Sequence, residues 1–458
     1  MKRIGRITFV IAFLTLLMPS TASAQGTYSV AGYSLMGGRG TLLDDIDGVQ
    51  VNPALLGMPG HSRFSFRFVG LMGHIDQSIA SRGLWNRIQG KDLTDEDKQD
   101  ILDGMGSTAH VNGLFEVAGP GLQIGRFAAG SYMSLSARGL FPRDFVELAL
   151  YGNEFDRDYR FGDLGLVSDA VSVFHVSYAF PMPFLQDAVQ SLPVPVRGVW
   201  GGVSLKYYQG HVHSEIEGGE TFLRFTQDGF VGNADYLFRT AGIPGGLVDE
   251  ENDDPAIAAD TTFAASSGSG IGLDLGMSAS LTEEVTVHAA LLNLSPGITW
   301  DNSTYEVQVT ATAETLSLGT FLELDDEEGT TDLDSLTSHE VDVRQIDSFR
   351  SSVPLILRLG GTYRLGRLAL NAEFEQALTR GMGYNLVPRL GLGIEFRPIG
   401  LLPLRAGLSL GGRLGVGAAF GFGLDLRALV WDVAIGNTGL TPGGVRGLGA
   451  ATGLKISF

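Results

Sequence analysis

Residues 389–397 read RLGLGIEFR, and this short stretch shows the pattern that decides the fold. Its even positions carry leucine, leucine, isoleucine and phenylalanine, whereas its odd positions carry arginine, glycine or glutamate. A repeat of two residues indicates a β-strand with one apolar face and one polar face. The stretch is therefore predicted to be a strand that separates an apolar environment from a polar one.

The same alternation recurs several times between residues 353 and 458, with short turns between the segments. Glycine weakens the strands of soluble proteins, yet here it repeatedly occupies the polar face beside charged side chains. Alternating segments of about ten residues, separated by turns, are typical of a transmembrane β-barrel whose apolar face contacts lipid. A soluble β-sandwich or jelly roll also alternates and is the alternative fold.

The N-terminus has the layout of a secretory signal peptide. Lys2, Arg3 and Arg6 precede an apolar run over residues 7–18, and small residues lead to an expected cleavage site after Ala24. The apolar run is shorter than the roughly 20 residues that a membrane-spanning helix needs. We therefore expect an exported chain that is either soluble or a β-barrel.

Composition excludes several classes of function. The sequence contains no cysteine, which excludes a lipoprotein anchor, disulfides and thiolate metal sites. Its formal net charge of −19 argues against nucleic acid as a partner, because phosphates need a basic surface. Two acidic runs, at residues 249–254 and 325–334, are predicted to be solvated loops.

Local signals predict three features outside the regular strands. Asn52 is expected to cap a short helical turn that begins with Pro53. A charged insertion over residues 81–106 is expected to be helical, with Thr94 and Asp97 as its capping pair. A second helix is expected over residues 142–151.

The candidate strands predict a barrel with an even number of strands. Strands over residues 111–118 and 122–137 are predicted to join through a Gly-Pro-Gly turn at residues 119–121, and residues 222–238 form a further candidate strand. The candidates give twelve to sixteen spanning strands. Fourteen is the favoured number, because bacterial barrels use even numbers that leave both termini in the periplasm.

These features together resemble a known group of proteins. A signal peptide, a Gly-Arg-Gly stretch at residues 38–40, Asn-Pro-Ala just before the first strand and a final Phe458 resemble the FadL-type long-chain fatty acid transporter superfamily, which includes the PorV-type barrels of the type IX secretion system. The nearer resemblance is to an uncharacterised outer-membrane family common in Bacteroidota-like bacteria. It rests on Asn-Pro-Ala-Leu-Leu at residues 52–56, the charged insertion, and the stretch from Leu292 to Trp300.

The resemblance implies a plugged pore. In FadL-type proteins the segment before the first strand folds into the lumen as a hatch, and apolar ligands leave through a lateral gap in the wall. Asn52, Pro53 and Ala54 would lie in that plug and fix its turn, and the C-terminal residues would act as a barrel-assembly signal: Leu454, Ile456 and Phe458. This chain departs from the superfamily in the acidic lead-in that contains Asp44, Asp45 and Asp47.

The polar face of the C-terminal strands carries many charged side chains, which predicts a charged lumen rather than an apolar one. The residues expected to form a lumenal ion-pair network are Arg358, Arg364, Glu373, Glu375, Arg389, Glu395, Arg397, Arg405, Arg413 and Asp425. Neutralising charge inside a narrow barrel is the favoured role of this network, and ion selectivity is the alternative.

Signals of catalysis or metal binding are weak. His211 and His213 share a strand face and Glu215 has the same parity, but the favoured interpretation is a solvated pair at the rim. No P-loop occurs, and a dispersed Ser/His or Asp/His site stays open. We expect no enzyme activity and no cofactor.

The sequence thus predicts an all-β protein: a closed antiparallel transmembrane β-barrel with an N-terminal plug and short helical loop insertions. Residues 1–24 are the signal peptide, 25–58 the plug and 59–458 the barrel. The predicted function is passive uptake or efflux of small hydrophobic molecules across the outer membrane. The alternative is a non-transporting accessory barrel for secreted or surface proteins. Expected partners are outer-membrane lipids, lipopolysaccharide and the barrel-assembly machinery.

Overall fold

The computed structural model describes residues 30–38, 42–43, 45–89, 92–185, 196–227, 229–242, 266–316, 337–382, 384–412, 415–440 and 444–458. The predicted signal peptide and both acidic runs lie outside these residues. Among the described residues, no helix combines the length and the apolar character that crossing a bilayer requires.

The chain forms one antiparallel sheet. Its strands are β1 (Phe64–Gln77), β2 (Thr108–Ile124), β3 (Phe127–Pro142), β4 (Asp158–Arg160), β5 (Gly165–Pro181), β6 (Gly198–Gly218), β7 (Phe222–Thr226), β8 (Gly229–Ala241), β9 (Gly268–Ser280), β10 (Val285–Leu294), β11 (Ile298–Trp300), β12 (Tyr305–Leu316), β13 (Thr337–Gln345), β14 (Phe349–Ser351), β15 (Ile356–Leu365), β16 (Leu368–Ala377), β17 (Arg389–Ile399), β18 (Leu402–Gly411), β19 (Gly417–Leu426), β20 (Leu429–Thr438) and β21 (Gly447–Ser457).

The helices are α1 (Val30–Ser34), α2 (Arg82–Ile88), α3 (Asp95–Met105) and α4 (Arg143–Tyr151), with 3-10 turns at Gly48–Gln50 and Pro53–Gly57.

The sheet closes into a barrel because β1 pairs with β2 on one side and with β21 on the other. Phe64 and Phe458 stack at the seam with ring centroids 5.1 Å apart, and their backbones exchange hydrogen bonds. Fourteen strands form the wall, which confirms the predicted fold class: β1, β2, β3, β5, β6, β9, β10, β15, β16, β17, β18, β19, β20 and β21. Short β11 and β14 pair with each other and extend the wall next to β9.

Burial follows the predicted parity. In β18, Leu408 and Leu410 are 52% and 46% exposed, whereas Ser409 between them is 2% exposed. The same alternation in β16 leaves Leu370 and Phe374 exposed and buries polar side chains on the other face. Polar side chains buried inside and apolar side chains exposed outside are the inverse of a soluble protein and match a barrel in lipid.

The two ends of the barrel differ. Short turns join β2 to β3, β15 to β16 and β19 to β20 at the end that also holds the start of β1 and the C-terminus. Long connections that contain α2, α3, α4 and the hairpin of β12 and β13 lie at the other end. By the usual asymmetry of bacterial barrels, the first end is periplasmic and the second extracellular.

The helical insertions are confirmed. Thr94 Oγ1 accepts a hydrogen bond from the backbone of Asp97, whose carboxylate accepts one from the Thr94 backbone, so the predicted capping pair forms. The Thr94 hydroxyl also donates to the Asp97 carboxylate at 2.7 Å, and this hydrogen bond, together with the one from the Thr94 backbone, lowers the pKa of Asp97. α2, α3 and α4 pack on one another through a small apolar core that includes Leu84 and Ile101.

Two strand predictions are wrong. β2 continues straight through residues 119–121, and the chain turns only at Gly125, whose φ of +57° suits glycine. Gly-Pro-Gly has the composition of a turn, but the strand continues because the Arg67 side chain donates hydrogen bonds to the carbonyls of Gly119 and Ser131. Residues 222–238, a candidate for the wall, instead fall in the hairpin of β7 and β8; β8 also pairs with β12 beyond the wall.

Candidate functional site

The described part of the N-terminal segment, residues 30–38 and 45–58, lies inside the barrel. Leu35, Ile46 and Ala54 have no exposed surface. Helix α1 packs against β18–β21 and β1, and the turn at Pro53–Gly57 packs against β5, β6 and β9. These 23 positions, together with Leu42 and Leu43, are called the lumenal segment below.

Asn52 attaches the lumenal segment to the wall. Its Oδ1 accepts a hydrogen bond from the Ala54 backbone nitrogen at 2.8 Å, which confirms the predicted cap. Its Nδ2 donates to the carbonyls of Met277 in β9 and Ala289 in β10, both at 3.0 Å. One buried amide therefore caps a turn and holds it to two neighbouring strands.

A pair of glycines makes room for this turn. Gly202 of β6 and Gly276 of β9 face each other in the strand register. A Cβ at Gly202 would overlap the backbone of Pro53 and Ala54, and a Cβ at Gly276 would overlap the Asn52 side chain. The missing side chains let the backbone of Pro53 and Ala54 lie directly on the wall.

Inward glycines of the C-terminal strands play the same role for the first part of the lumenal segment. A Cβ at Gly391 or Gly393 would overlap residues 37–38, and one at Gly407 would overlap Leu35. The glycines that the sequence shows on the polar face are thus positions where two backbones approach closely.

A buried charge cluster joins the lumenal segment to both strands of the barrel seam. Lys455 Nζ of β21 lies 2.5 Å from Asp45 and 2.7 Å from Asp47, and Arg67 of β1 lies 3.0 Å from Asp47. All four side chains are at most 10% exposed. The two cations balance the two anions. These four residues are called the charge cluster.

Of the residues predicted to form the lumenal network, one group lies around Arg358. Arg358 is 2.7 Å from Glu375 and donates to the Gln50 carbonyl of the lumenal segment at 3.1 Å. Arg389 is 3.8 Å from the same carboxylate. Glu373 is buried nearby, 4.0 Å from His288.

A second group lies toward the periplasmic end. Glu395 lies 2.8 Å from Arg397 and 2.7 Å from Arg405. Arg405 also contacts Asp432 at 2.5 Å, and Arg397 contacts Asp425 at 3.4 Å. Arg364 lines the cavity described next, and Arg413 lies outside the described residues.

The predicted site residues do not include Asp432, Lys455 or Arg67. Strand parity places Lys455 and Asp432 on the inward face, so the pattern contained this signal. The partner carboxylates of Lys455 lie about 400 residues away in the lumenal segment, and strand periodicity does not reveal such a pairing.

A cavity of about 440 Å³ lies at the periplasmic end of the lumen. Its wall includes Asp45 and Lys455 of the charge cluster together with Arg364, Arg397 and Arg405. A second cavity of about 360 Å³ lies nearby, between Leu55 and Met58 of the lumenal segment and Arg197 and Glu283 of the wall. Apolar solutes are disfavoured in the first cavity because its charged groups would lose hydration.

The strand pairing of the wall is interrupted where β2 was predicted to turn, although β2 itself stays extended. Gly119 and Pro120 pair with neither β1 nor β3, and the opposite residues Phe68 and Val69 have no partner in β2. These four residues are called the wall break. Pro120 has no N–H to lose there, which explains why a proline is tolerated in the middle of the sheet.

Arg67 occupies the wall break from the lumenal side. Its Nε donates to the Gly119 carbonyl at 3.0 Å and its Nη2 donates to the Ser131 carbonyl of β3 at 3.2 Å. Its Nη1 holds Asp47 of the lumenal segment. One guanidinium therefore connects β1, β2, β3 and the lumenal segment.

An apolar cluster fills the lumen beside the wall break. Val171, Val173 and Tyr208 of β5 and β6 pack with Trp300 near the extracellular end, and Tyr132 packs against them. Tyr132 is the residue after Ser131, whose carbonyl Arg67 holds. The apolar cluster thus reaches from the extracellular strands to the wall break.

The histidine pair is buried rather than solvated, which corrects the rim interpretation. His213 Nδ1 lies 2.8 Å from Asp169, and its ring stacks on Trp300 at 5.3 Å. His211 contacts Ser172 at 2.8 Å instead, so the two rings serve different partners. Among the described residues no group of three ligands could hold a metal ion.

The fold and this lumen define a closed β-barrel of the outer-membrane type whose N-terminal segment lies inside. The chain belongs to a family of unknown function, DUF5723, whose model matches residues 53–429. This confirms the resemblance to an uncharacterised barrel family. No curated protein matches the sequence.

Several solved structures are similar over most of the chain. The toluene transporter TbuX of Ralstonia pickettii is 12% identical with a TM-score of 0.43, covering 90% of this chain and 94% of that one. The toluene transporter TodX of P. putida is 11% identical with a TM-score of 0.44 and the same coverage. A FadL homologue of Pseudomonas aeruginosa is 12% identical with a TM-score of 0.44, covering 96% and 99%.

Proposed function

We propose that the protein is an outer-membrane channel through which small hydrophobic molecules pass, entering or leaving the lumen sideways through the wall break. The observation that carries the proposal is that the apolar cluster lies next to the wall break: Tyr132 packs against the cluster, and Ser131, the residue before it in β3, lies opposite Gly119 and Pro120. A lateral route would lead from this apolar cluster directly to the hydrocarbon layer.

Charge makes the axial route unfavourable for an apolar solute. Between the apolar cluster and the periplasm lie the charge cluster and the pairs formed by Glu395 and Arg405. An apolar solute that displaced water or partners from such groups would incur several kcal/mol per desolvated charge. At the wall break, Gly119 and Pro120 have no strand partner to lose, and Arg67 would leave the carbonyls of Gly119 and Ser131.

The lumenal segment controls this route in the proposal. Arg67 holds Asp47 while it occupies the wall break, so a shift of the lumenal segment withdraws or releases the guanidinium. Asn52 and the glycine pair hold the other end of the segment on β6, β9 and β10. The lumenal segment would thus act as the hatch that the superfamily resemblance implies.

A reversible disulfide across the wall break tests the lateral route. A Cβ at Gly119 lies 4.0 Å from the Ser131 Cβ, within the range that a disulfide spans. The chain contains no cysteine, so G119C/S131C has a single pair. Liposomes with lipopolysaccharide in the outer leaflet and this variant should take up phenylnaphthylamine faster than protein-free liposomes when reduced. Oxidation should lower the rate to that of protein-free liposomes.

The single variants G119C and S131C are the matched controls, because the same oxidant should leave their rates unchanged. Equal rates for the oxidised and reduced double variant, both above protein-free liposomes, would exclude the lateral route. Rates equal to protein-free liposomes under all conditions would exclude transport of this solute.

A specific observation also favours the second candidate, a non-transporting accessory barrel for secreted or surface proteins. β13 pairs with β12 on one edge only, among the described residues, and its Val341 and Val343 are exposed. An unpaired strand edge can add a strand from a partner protein. Mild detergent extraction should then recover a stable complex with a secreted protein, whereas a solitary monomer would contradict this role.

A further inference from the structure

An apolar groove lies on the outer surface of the barrel seam, at the extracellular end. It has a volume of about 650 Å³, and its apolar lining includes Ile75 of β1, Leu448 of β21 and Trp85 of α2. Ile75 and Leu448 are neighbours in the strand register, and their side chains are 44% and 59% exposed. The groove is therefore part of the face that contacts lipid.

The position of the groove indicates that it faces the lipids of the outer leaflet. Its floor is the last part of β1 and the first part of β21, next to the helical insertion. Trp85 is 57% exposed, and tryptophan at this level is typical of the boundary between headgroups and acyl chains. The lipids that meet this end of an outer-membrane barrel are those of the outer leaflet.

Two arginines line the groove. Neither Arg82 nor Arg446 forms an ion pair with a carboxylate in the part of the chain that the structure describes. Arg446 donates to the Gly104 carbonyl at 2.7 Å, and its buried Nε has no hydrogen-bond partner among the described residues. Two cations without anions stand out in a chain whose net charge is −19.

We propose that this groove binds lipid A, the phosphorylated glycolipid of the outer leaflet, with an acyl chain on Ile75, Trp85 and Leu448 and a phosphate at Arg82 and Arg446. Guanidinium groups form strong charge-assisted hydrogen bonds with phosphate, and basic pockets between transmembrane helices bind lipid headgroups in the same way. The site lies outside the lumen, so it stands whether or not the barrel transports a solute.

Fluorescence of Trp85 tests the proposal. Nanodiscs of phosphatidylcholine with brominated chains quench this side chain, and a variant W85F supplies the signal of the other three tryptophans. Unbrominated lipid A should relieve the quenching as it displaces phosphatidylcholine from the groove. It should do so at a mole fraction roughly tenfold lower than lipid A whose phosphates have been removed.

The double variant R82Q/R446Q should lose this difference between the two forms of lipid A. R63Q/R126Q, which removes two exposed arginines at the periplasmic end, should keep it. Circular dichroism of the β-sheet shows whether each variant is folded. Equal relief by both forms in the native protein, a difference that persists in R82Q/R446Q, or equal relief by phosphatidylglycerol would overturn the proposal.

Discussion

Lys455→Met is expected to free the lumenal segment from the barrel seam. Lys455 lies 2.5 Å from Asp45 and 2.7 Å from Asp47, and the substitution leaves two buried carboxylates with Arg67 as the one remaining cation of the cluster. Removing one partner of a buried ion pair costs about 3–5 kcal/mol. The loss weakens the attachment of the lumenal segment to the wall. The barrel ladder itself keeps its backbone hydrogen bonds.

Hydrogen exchange measures this effect. Peptides that cover residues 45–58 should exchange much faster in K455M than in the native protein, while β17 and β18 should be unchanged. The double variant K455M/D45N restores charge balance, because Asp47 keeps Arg67 at 3.0 Å. It should recover most of the protection. If K455M exchanges like the native protein, or if the double variant is no better protected than K455M, the charge cluster does not hold the segment.

Gly202→Val should displace the turn at Pro53–Gly57. A Cβ at Gly202 would overlap the backbone of Pro53 and Ala54, which cannot move aside as the end of a flexible side chain could. Overpacking of this kind costs about 1–3 kcal/mol or more. Trp200 reports the change, because it packs against the cluster of Leu43, Leu55 and Met58. Its emission should shift to the red as the turn leaves the wall.

Gly73→Val is the matched control for this steric change. Gly73 also lies in a wall strand, but a Cβ there would meet only the Phe115 ring, at 3.8 Å. This variant should keep the native emission, and W200F identifies the Trp200 contribution in both. A red shift of equal size in G73V, or none in G202V, would show that the glycine pair does not position the turn.

The outward and inward faces of the strands could be predicted because lipid favours apolar side chains and the lumen favours polar ones, so the two kinds alternate along each strand. RLGLGIEFR at residues 389–397 places its leucines outward and buries Arg389 and Glu395, as the periodicity indicates. The helical insertions were also predictable. Their signals, such as the capping pair Thr94 and Asp97, are local and need no tertiary partner.

The wall break was not predictable from local signals. Gly-Pro-Gly at residues 119–121 has the composition of a turn, and the segment stays extended because Arg67 binds the carbonyls of Gly119 and Ser131. The sequence shows glycines on the inward face of the strands, but it does not show which part of the chain packs against them. Only the folded chain shows that Gly391 and Gly407 lie against the lumenal segment.

The most direct measurement places three consecutive side chains relative to the bilayer. Spin labels on single cysteines at Leu408, Ser409 and Leu410 of β18, in liposomes, report collisions with dissolved oxygen, which is concentrated in the hydrocarbon layer. The structure predicts frequent collisions at Leu408 and Leu410 and rare ones at Ser409, which is 2% exposed. Uniform collision rates at the three sites, or the reverse order, would contradict a barrel whose apolar parity meets lipid.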